Sequence, residues 1–409
     1  MGRLVSRPSA FDREPPLVIA HRGASGEAPE NTLHACELAI EQGADVLEID
    51  VRRTADGEVV LFHDEDLVRA TNVRQVFPER SPWLLKDFTL AELRMLDAGS
   101  WNDQRFAGAR IPTLDEILEL AGDRVGLLIE MKQPSRDPGL APAVAAKLEG
   151  RDRDNVVVAS IDREHAVQYA CQNPGAPVAA LTVRPDTALV ELGRLAEVVA
   201  FIGTGLGEFP LHLVERVHAL GIGVLTNSST ASEVRTMAER GLDGVITDYP
   251  GRMARALRSD RSSSVWIEAE SLLDRARATC PVVVQANHGM NGGKWSNDAQ
   301  LLMEATGPNE TLELPFDIDG DGEWELALVV SGSRHGGVYE ISVDDEPLGR
   351  PFDSYRASVA RHTLRWYDRV LGKGRHVLRL RTTGRHRQSA GFTLGIDVIE
   401  LVRKTRRLV

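Results

Sequence analysis

The chain has 409 residues, of which 42% are hydrophobic and 26% charged, with a net charge of −12 at pH 7. It is too long for one ordinary core, so two domains are expected. The acidic balance argues against broad nucleic-acid binding, whose footprint is a basic patch, and against adhesion to an anionic membrane surface. Three widely spaced cysteines, Cys36, Cys171 and Cys280, fit neither a disulfide framework nor a zinc site, and Cys36 and Cys171 read as small buried apolar residues.

Residues 1–16 lack an apolar stretch of signal-peptide length, and no later stretch approaches a membrane span. The chain therefore reads as cytoplasmic as given, or as secreted if a signal peptide is missing.

From Leu17 onward, short β-branched runs alternate with longer amphipathic stretches. Strands are expected at Leu17–Ala20, Val46–Val51, Val59–Phe62, Leu127–Met131, Val156–Ser160, Val178–Leu181, Val198–Ile202, Gly223–Leu225 and Gly244–Thr247. Helices are expected at Thr32–Gln42, Leu114–Ala121, Ala141–Leu148, Arg163–Cys171, Leu211–Leu220 and Ala231–Arg240. Such alternation predicts a parallel sheet covered by helices, and residues 1–258 have the length of one (β/α)8 TIM-type barrel. The ninth strand is surplus, and the turn Ala55-Asp56-Gly57 assigns it to a hairpin of Val46–Val51 with Val59–Phe62. Residues Glu65 to Ile111, with Pro78, Pro82, Trp83 and Trp101, break the rhythm and read as an insertion after a strand. His165, His212 and His218 fall on expected helices and read as surface or packing residues.

The stretch 259–265 is a linker by composition. Residues 266–409 then carry strand-like runs at Trp324–Val330, Gly337–Val343, Thr363–Val370, His376–Arg381 and Phe392–Leu401, separated by Gly, Asp and Pro. No helix is expected there, and the fold predicted is an all-β sandwich.

Ionisable residues collect where barrel enzymes keep their chemistry, at the carboxyl ends of strands. His21 and Arg22 follow the first strand, and Glu48 and Asp50 share one face of the next by the period of two. His63 ends the hairpin strand, while Glu130 and Lys132 share a face at the end of the fourth run. Carboxylates pointing together need a positive partner, and a hard divalent cation, magnesium or calcium, suits oxygen donors. Two histidines, three carboxylates and two cations suit hydrolysis of a phosphodiester. Arg22 and Lys132 would hold the phosphate, and His21 and His63 would divide the acid and base roles.

The ordered set His21-Arg22-Gly23, Pro29-Glu30-Asn31-Thr32, Glu48-Ile49-Asp50-Val51, Thr54-Ala55-Asp56-Gly57, His63-Asp64 and Glu130-Met131-Lys132 resembles the glycerophosphodiester phosphodiesterase family. Ile111-Pro112-Thr113-Leu114 is similar to the close of that family's insertion, and Gly244–Pro250 to its last strand. The resemblance spans residues 17–257. It implies hydrolysis of a glycerophosphodiester to a glycerol phosphate and an alcohol. By it His21 and His63 are catalytic, Glu48, Asp50 and Glu130 hold one divalent cation, and Arg22 and Lys132 contact phosphate. One departure is Val224-Leu225-Thr226-Asn227-Ser228, with Leu225 where the family's Trp-Thr-Val-Asn-like string brings an aromatic. This implies that the alcohol side of the substrate is met differently.

Trp266–Ser271 and Gly395–Leu401 resemble the two edges of jelly-roll carbohydrate-binding modules. That likeness implies a structural calcium at Glu268, Glu270 and Asp397. It also raises glycan binding through Trp295, Tyr355, Trp366 or Tyr367, against core packing of the same aromatics. Arg334-His335 and Arg385-His386-Arg387 read as ligand contacts or as solvated turns. Two rivals to simple hydrolysis remain at this point. One is a phospholipid-directed lyase of related barrel type that makes a cyclic phosphate; the other is a glycan-binding protein whose barrel is a scaffold.

Overall fold

A computed structural model describes residues 8–11, 16–133, 135–150, 155–181, 193, 195–204, 211–227, 238, 241–258, 264–286, 299–357 and 359–403. The chain divides into two compact units, Met1–Leu257 and Arg258–Val409.

In the first unit the strands run β1 Leu17–His21, β2 Val46–Arg53, β3 Val59–Leu61, β4 Gly126–Met131, β5 Val156–Ser160, β6 Val178–Ala180, β7 Phe201–Thr204, β8 Gly223–Asn227 and β9 Gly244–Thr247. All but β3 are parallel, in the order β1-β9-β8-β7-β6-β5-β4-β2, and pairing of β1 with β2 closes the ring. β3 pairs antiparallel to β2, so the surplus strand is the hairpin arm that the turn at Gly57 predicts. β7 begins later than the apolar run from Val198. The amides of Val198 and Val199 both bond back to the carbonyl of Leu195, which makes that stretch a turn. The helix expected at 231–240 lies outside the described residues, apart from position 238.

The period of two sorts each strand between two environments. Leu47, Ile49 and Val51 on β2, and Leu127, Ile129 and Met131 on β4, belong to the core between barrel and helices. Their neighbours face inward: Leu17 and Ile19, Val46 and Leu128 form the lower barrel core with Phe201, Leu225 and Ile246. Continuing upward on the same faces brings His21, Glu48, Asp50 and Glu130 to the top layer. The base is closed by a short 3-10 turn, Ser9–Phe11, whose Phe11 ring lies 5.3 Å from that of Phe201. Gly126 makes the room: a Cβ there would sit 3.2 Å from the Phe11 ring.

The insertion after β3 carries its own small core, with Leu67, Val73, Leu85, Phe88, Leu93 and Leu96 buried against Val60 and Phe62. Ile111-Pro112-Thr113 ends it. The Pro112 carbonyl accepts from the Leu61 amide, and Thr113 forms a capping box with Glu116 that starts the helix Leu114–Ala121.

The second unit is a β-sandwich. Its strands are β10 Ser264–Glu268, β11 Arg277–Ala278, β12 Val282–Ala286, β13 Ala299–Ala305, β14 Thr311–Ile318, β15 Gly322–Gly332, β16 Gly337–Val343, β17 Glu346–Pro347, β18 Phe352–Asp353, β19 Ala360–Leu371, β20 Gly374–Arg385 and β21 Phe392–Arg403. One antiparallel sheet runs β12-β13-β21-β15-β19 with β10 on β21; the other runs β11-β14-β20-β16-β17 with β18 on β16. Leu301, Met303 and Leu401 of the first meet Leu312, Phe316 and Leu380 of the second in one core. Two expectations change. Ser264 and Val265 are strand rather than linker, and a seven-residue 3-10 helix, Ala269–Arg275, follows β10.

Candidate active site

The top of the first unit is assembled from the ends of four strands and the segments that follow them. β1 places His21 beside Glu48, and β2 places Asp50 beside Glu130. Among the described residues, Glu48, Asp50 and Glu130 form the one group of potential metal-ligating side chains whose donor atoms all lie within 4.8 Å of one another.

After β1 the chain turns sharply. Arg22 adopts φ 57° and Gly23 φ 82°, and a Cβ on Gly23 would sit 2.5 Å from the Ala35 carbonyl carbon, so the turn packs on the helix Leu33–Glu41 only with glycine. The turn lets the Arg22 amide donate to Glu48 Oε2 at 2.9 Å. It also sends the Arg22 guanidinium to Asp50 at 2.9 Å and to Glu30 at 2.9 Å. Asn31, also at positive φ, donates to Asp50 Oδ2 at 2.8 Å and accepts from the Asp50 amide at 3.1 Å. Lys132 reaches Glu130 at 2.6 Å and Asp50 at 3.1 Å.

Electrostatics follow from this packing. Burial opposes the charge on Asp50, but Arg22 and Lys132 outweigh it and hold its carboxyl below the usual range. Burial likewise opposes the charge on Lys132, and Asp50 and Glu130 reverse that effect and raise it. Glu48 is the exception: burial, then repulsion from Asp50 and Glu130, pushes it well above the usual carboxylate range. Its Oε1 is buried and has no hydrogen-bond partner. An unpartnered buried carboxylate oxygen beside two others is the arrangement that a hard divalent cation relieves, and the all-oxygen donor set suits magnesium or calcium.

The two histidines flank this group, each held by a carboxylate. His21 Nδ1 lies 2.7 Å from Asp248 Oδ1, which also accepts from Ser25 Oγ at 2.6 Å. His63 Nδ1 lies 2.7 Å from Asp64 Oδ1. Arg69 of the insertion clamps Asp64 at 2.6 Å and Glu30 at 2.7 Å, with its guanidinium 5.4 Å from the centre of the Trp101 ring. Holding Nδ1 leaves Nε2 of each ring for another partner.

The sequence profile of the glycerophosphoryl diester phosphodiesterase family matches residues 21–252, more than half of the chain. The chain belongs to this family. It is 34% identical over 253 residues to a glycerophosphodiester phosphodiesterase of Caldanaerobacter subterraneus subsp. tengcongensis, a match covering 59% of this chain and 98% of that one. It is 31% identical over 255 residues to a glycerophosphodiester phosphodiesterase of Bacillus subtilis, covering 57% of this chain and 84% of that one. Among solved structures it is similar to an Oleispira antarctica phosphodiesterase in complex with the product sn-glycerol-3-phosphate, with a TM-score of 0.54 and 32% identity over 60% of this chain and 97% of that one. The chain is thus a phosphoric diester hydrolase of the glycerophosphodiester phosphodiesterase type, on a TIM barrel.

All seven barrel residues singled out from the phosphodiesterase motifs, His21, Arg22, Glu48, Asp50, His63, Glu130 and Lys132, are at this one end of the barrel. The sequence reading missed the partners: Asn31, Asp64 and Asp248 lay inside quoted motifs without a role, and Arg69 carried no signal within a polar insertion. Leu225 is fully buried in the lower barrel core, where its side chain packs the interior. Cys36 is buried, but Cys171 is exposed on its helix, contrary to expectation.

In the second unit β10 and β21 pair, with Glu268 opposite Val398, beside Asp397. β10 stops at Glu268, and Glu270 lies in the following 3-10 turn. These three do not form a second metal-ligating group among the described residues. Trp366 is partly buried against the sandwich core, Tyr367 is exposed, and Trp295 lies outside the described residues. No helix among the described residues is long and apolar enough to cross a membrane.

Proposed function

We propose that the chain hydrolyses a glycerophosphodiester to a glycerol phosphate and an alcohol, with one divalent cation held by Glu48, Asp50 and Glu130. The observation that carries this reading is the triple carboxylate group within 4.8 Å, with the unpartnered Oε1 of Glu48 inside it. A bound magnesium or calcium would neutralise charge on the non-bridging oxygens of the phosphate.

The protein's own residues do the rest. Lys132 offers a point charge and Arg22 a guanidinium fork to the phosphate; Lys132 is buried, Arg22 is partly exposed, and Asp50 pre-orients both. His21 and His63 each have Nδ1 engaged by a carboxylate, so each presents Nε2 to move a proton. One takes a proton from the attacking water as its oxygen bonds to phosphorus, and the other gives a proton to the alcohol oxygen as its bond to phosphorus breaks. Relatives named for glycerophosphodiesters, and a neighbour that holds sn-glycerol-3-phosphate, support the substrate class.

The test is release of glycerol phosphate by the purified chain, before and after chelation and after return of magnesium or calcium. Activity unchanged by chelation would sink the cation, and wild-type activity in His63→Ala would sink the role of His63. A stable cyclic phosphate as the end product would replace hydrolysis by the lyase reaction.

A further inference from the structure

The barrel top holds a second cleft that the chemistry above leaves unused. It lies between the ends of β2 and β4 and the insertion, with about 380 Å3 of empty space open to solvent. Lys132 is part of its wall, so the cleft adjoins the carboxylate group directly.

Five cations line it, Arg52, Arg53, Lys86, Lys132 and Arg136, against two carboxylates, Glu65 and Asp137. Cations thus outnumber carboxylates in its lining, although Lys132 is also paired with Glu130 and Asp50. The pairing is uneven. Arg53 is held by Asp137 at 2.6 Å. Lys86 with Asp87 at 2.8 Å and Arg136 with Glu65 at 2.8 Å are exposed pairs, of the kind that hold their partners weakly and can turn to another anion. Among the described residues, Arg52 has no carboxylate within ion-pair distance. Its Nε and Nη2 both donate to the main-chain carbonyl of His63, at 2.9 and 2.7 Å, so its charge is fixed at the cleft wall and tied to the histidine.

We propose that this cleft is the subsite for the alcohol half of the diester, and that it selects alcohols carrying a further anionic group such as a second phosphate. Glycerol itself is uncharged, so a cationic wall can discriminate only on the other half. The inference rests on reading the neighbouring carboxylates, His63 and Lys132 as the phosphodiester site.

The test compares kcat/KM for glycerophosphoinositol 4-phosphate with that for glycerophosphoinositol, which differs by one phosphate, and for glycerophosphocholine. The expected preference for the phosphorylated substrate is about five- to tenfold. In Lys86→Gln/Arg136→Gln that preference falls to about one, while turnover of glycerophosphoinositol stays within about twofold. Arg52 is left intact because it supports His63. Equal or poorer use of the phosphorylated substrate by the wild type would overturn the subsite, as would a preference unchanged in the double variant. Failure to hydrolyse any of the three would overturn the phosphodiesterase reading itself.

Discussion

The Nδ1 atom of His21, at the end of the first barrel strand, lies 2.7 Å from Oδ1 of Asp248, just past the last strand. The carboxylate fixes which ring nitrogen is bound and how the ring is turned. Asp248→Asn keeps the volume and removes the charge, so it acts through His21 rather than on substrate. The expected result is a fall in kcat of about 10²-fold with KM and melting temperature little changed. A shifted pH–rate profile would mark the effect as one on His21; wild-type kcat would show that the contact is only structural.

Glu48→Gln separates cation binding from folding. Burial and two neighbouring carboxylates push Glu48 well above its usual range, so without a cation the folded state prefers it protonated. The sign follows: its ionised form works against folding, and cation-free stability declines as pH rises from the ordinary carboxylate range. The Gln variant should therefore melt at or above the wild type in chelator. It should also lose the stabilisation that saturating magnesium or calcium gives the wild type, about 2.7 kcal/mol at a hundred times Kd. Calorimetry with and without cation checks both parts.

Acid sensitivity of the insertion should centre on Asp97. Burial would raise this carboxyl, but Ser100 and the amides of Ser100, Gly99 and Gly108 outweigh it and hold it at about 2. A depressed carboxylate contributes stability above its unfolded value near 3.9 and loses it as pH falls toward 2. The stability gap between wild type and Asp97→Ala should be constant from pH 5 to 7, as estimated from that reference value, and should narrow below about 4. Urea unfolding at each pH reads the gap directly.

The base of the barrel depends on Phe11, which is 2% exposed and faces Phe201. Phe11→Ala leaves a void beneath the lower core layer and should cost about 3–5 kcal/mol. Below its own melting transition the variant should keep near-wild-type KM, because the site lies at the opposite end. A loss of substrate affinity in the folded variant would contradict that separation.

The barrel and its charged top layer were legible because period two and chain order are local properties. Val46, Glu48 and Asp50 share a face whatever the rest of the chain does, and a parallel strand after each helix leaves few topologies. The contacts that orient the histidines were not legible. Asp248 reaches His21 only through closure of the ring, and Arg69 reaches Asp64 and Glu30 only because the insertion folds on a core of its own. The same limit applies to Glu270: the likeness grouped it with Glu268 as a calcium ligand, whereas the backbone turns into a 3-10 helix at Ala269. Residues 198–199 had strand composition, but local amide bonds to Leu195 won over sheet pairing.

Ring closure also has a consequence for biosynthesis. β1 leaves the ribosome first and pairs with both β2 and β9 in the finished ring. Asp248 is synthesised 227 positions after His21. Glu48, Asp50 and Glu130 lie on the neighbouring strands β2 and β4, whereas Nδ1 of His21 takes its anchor from beyond the last strand. The carboxylate contact that orients His21 is thus completed only by the final strand.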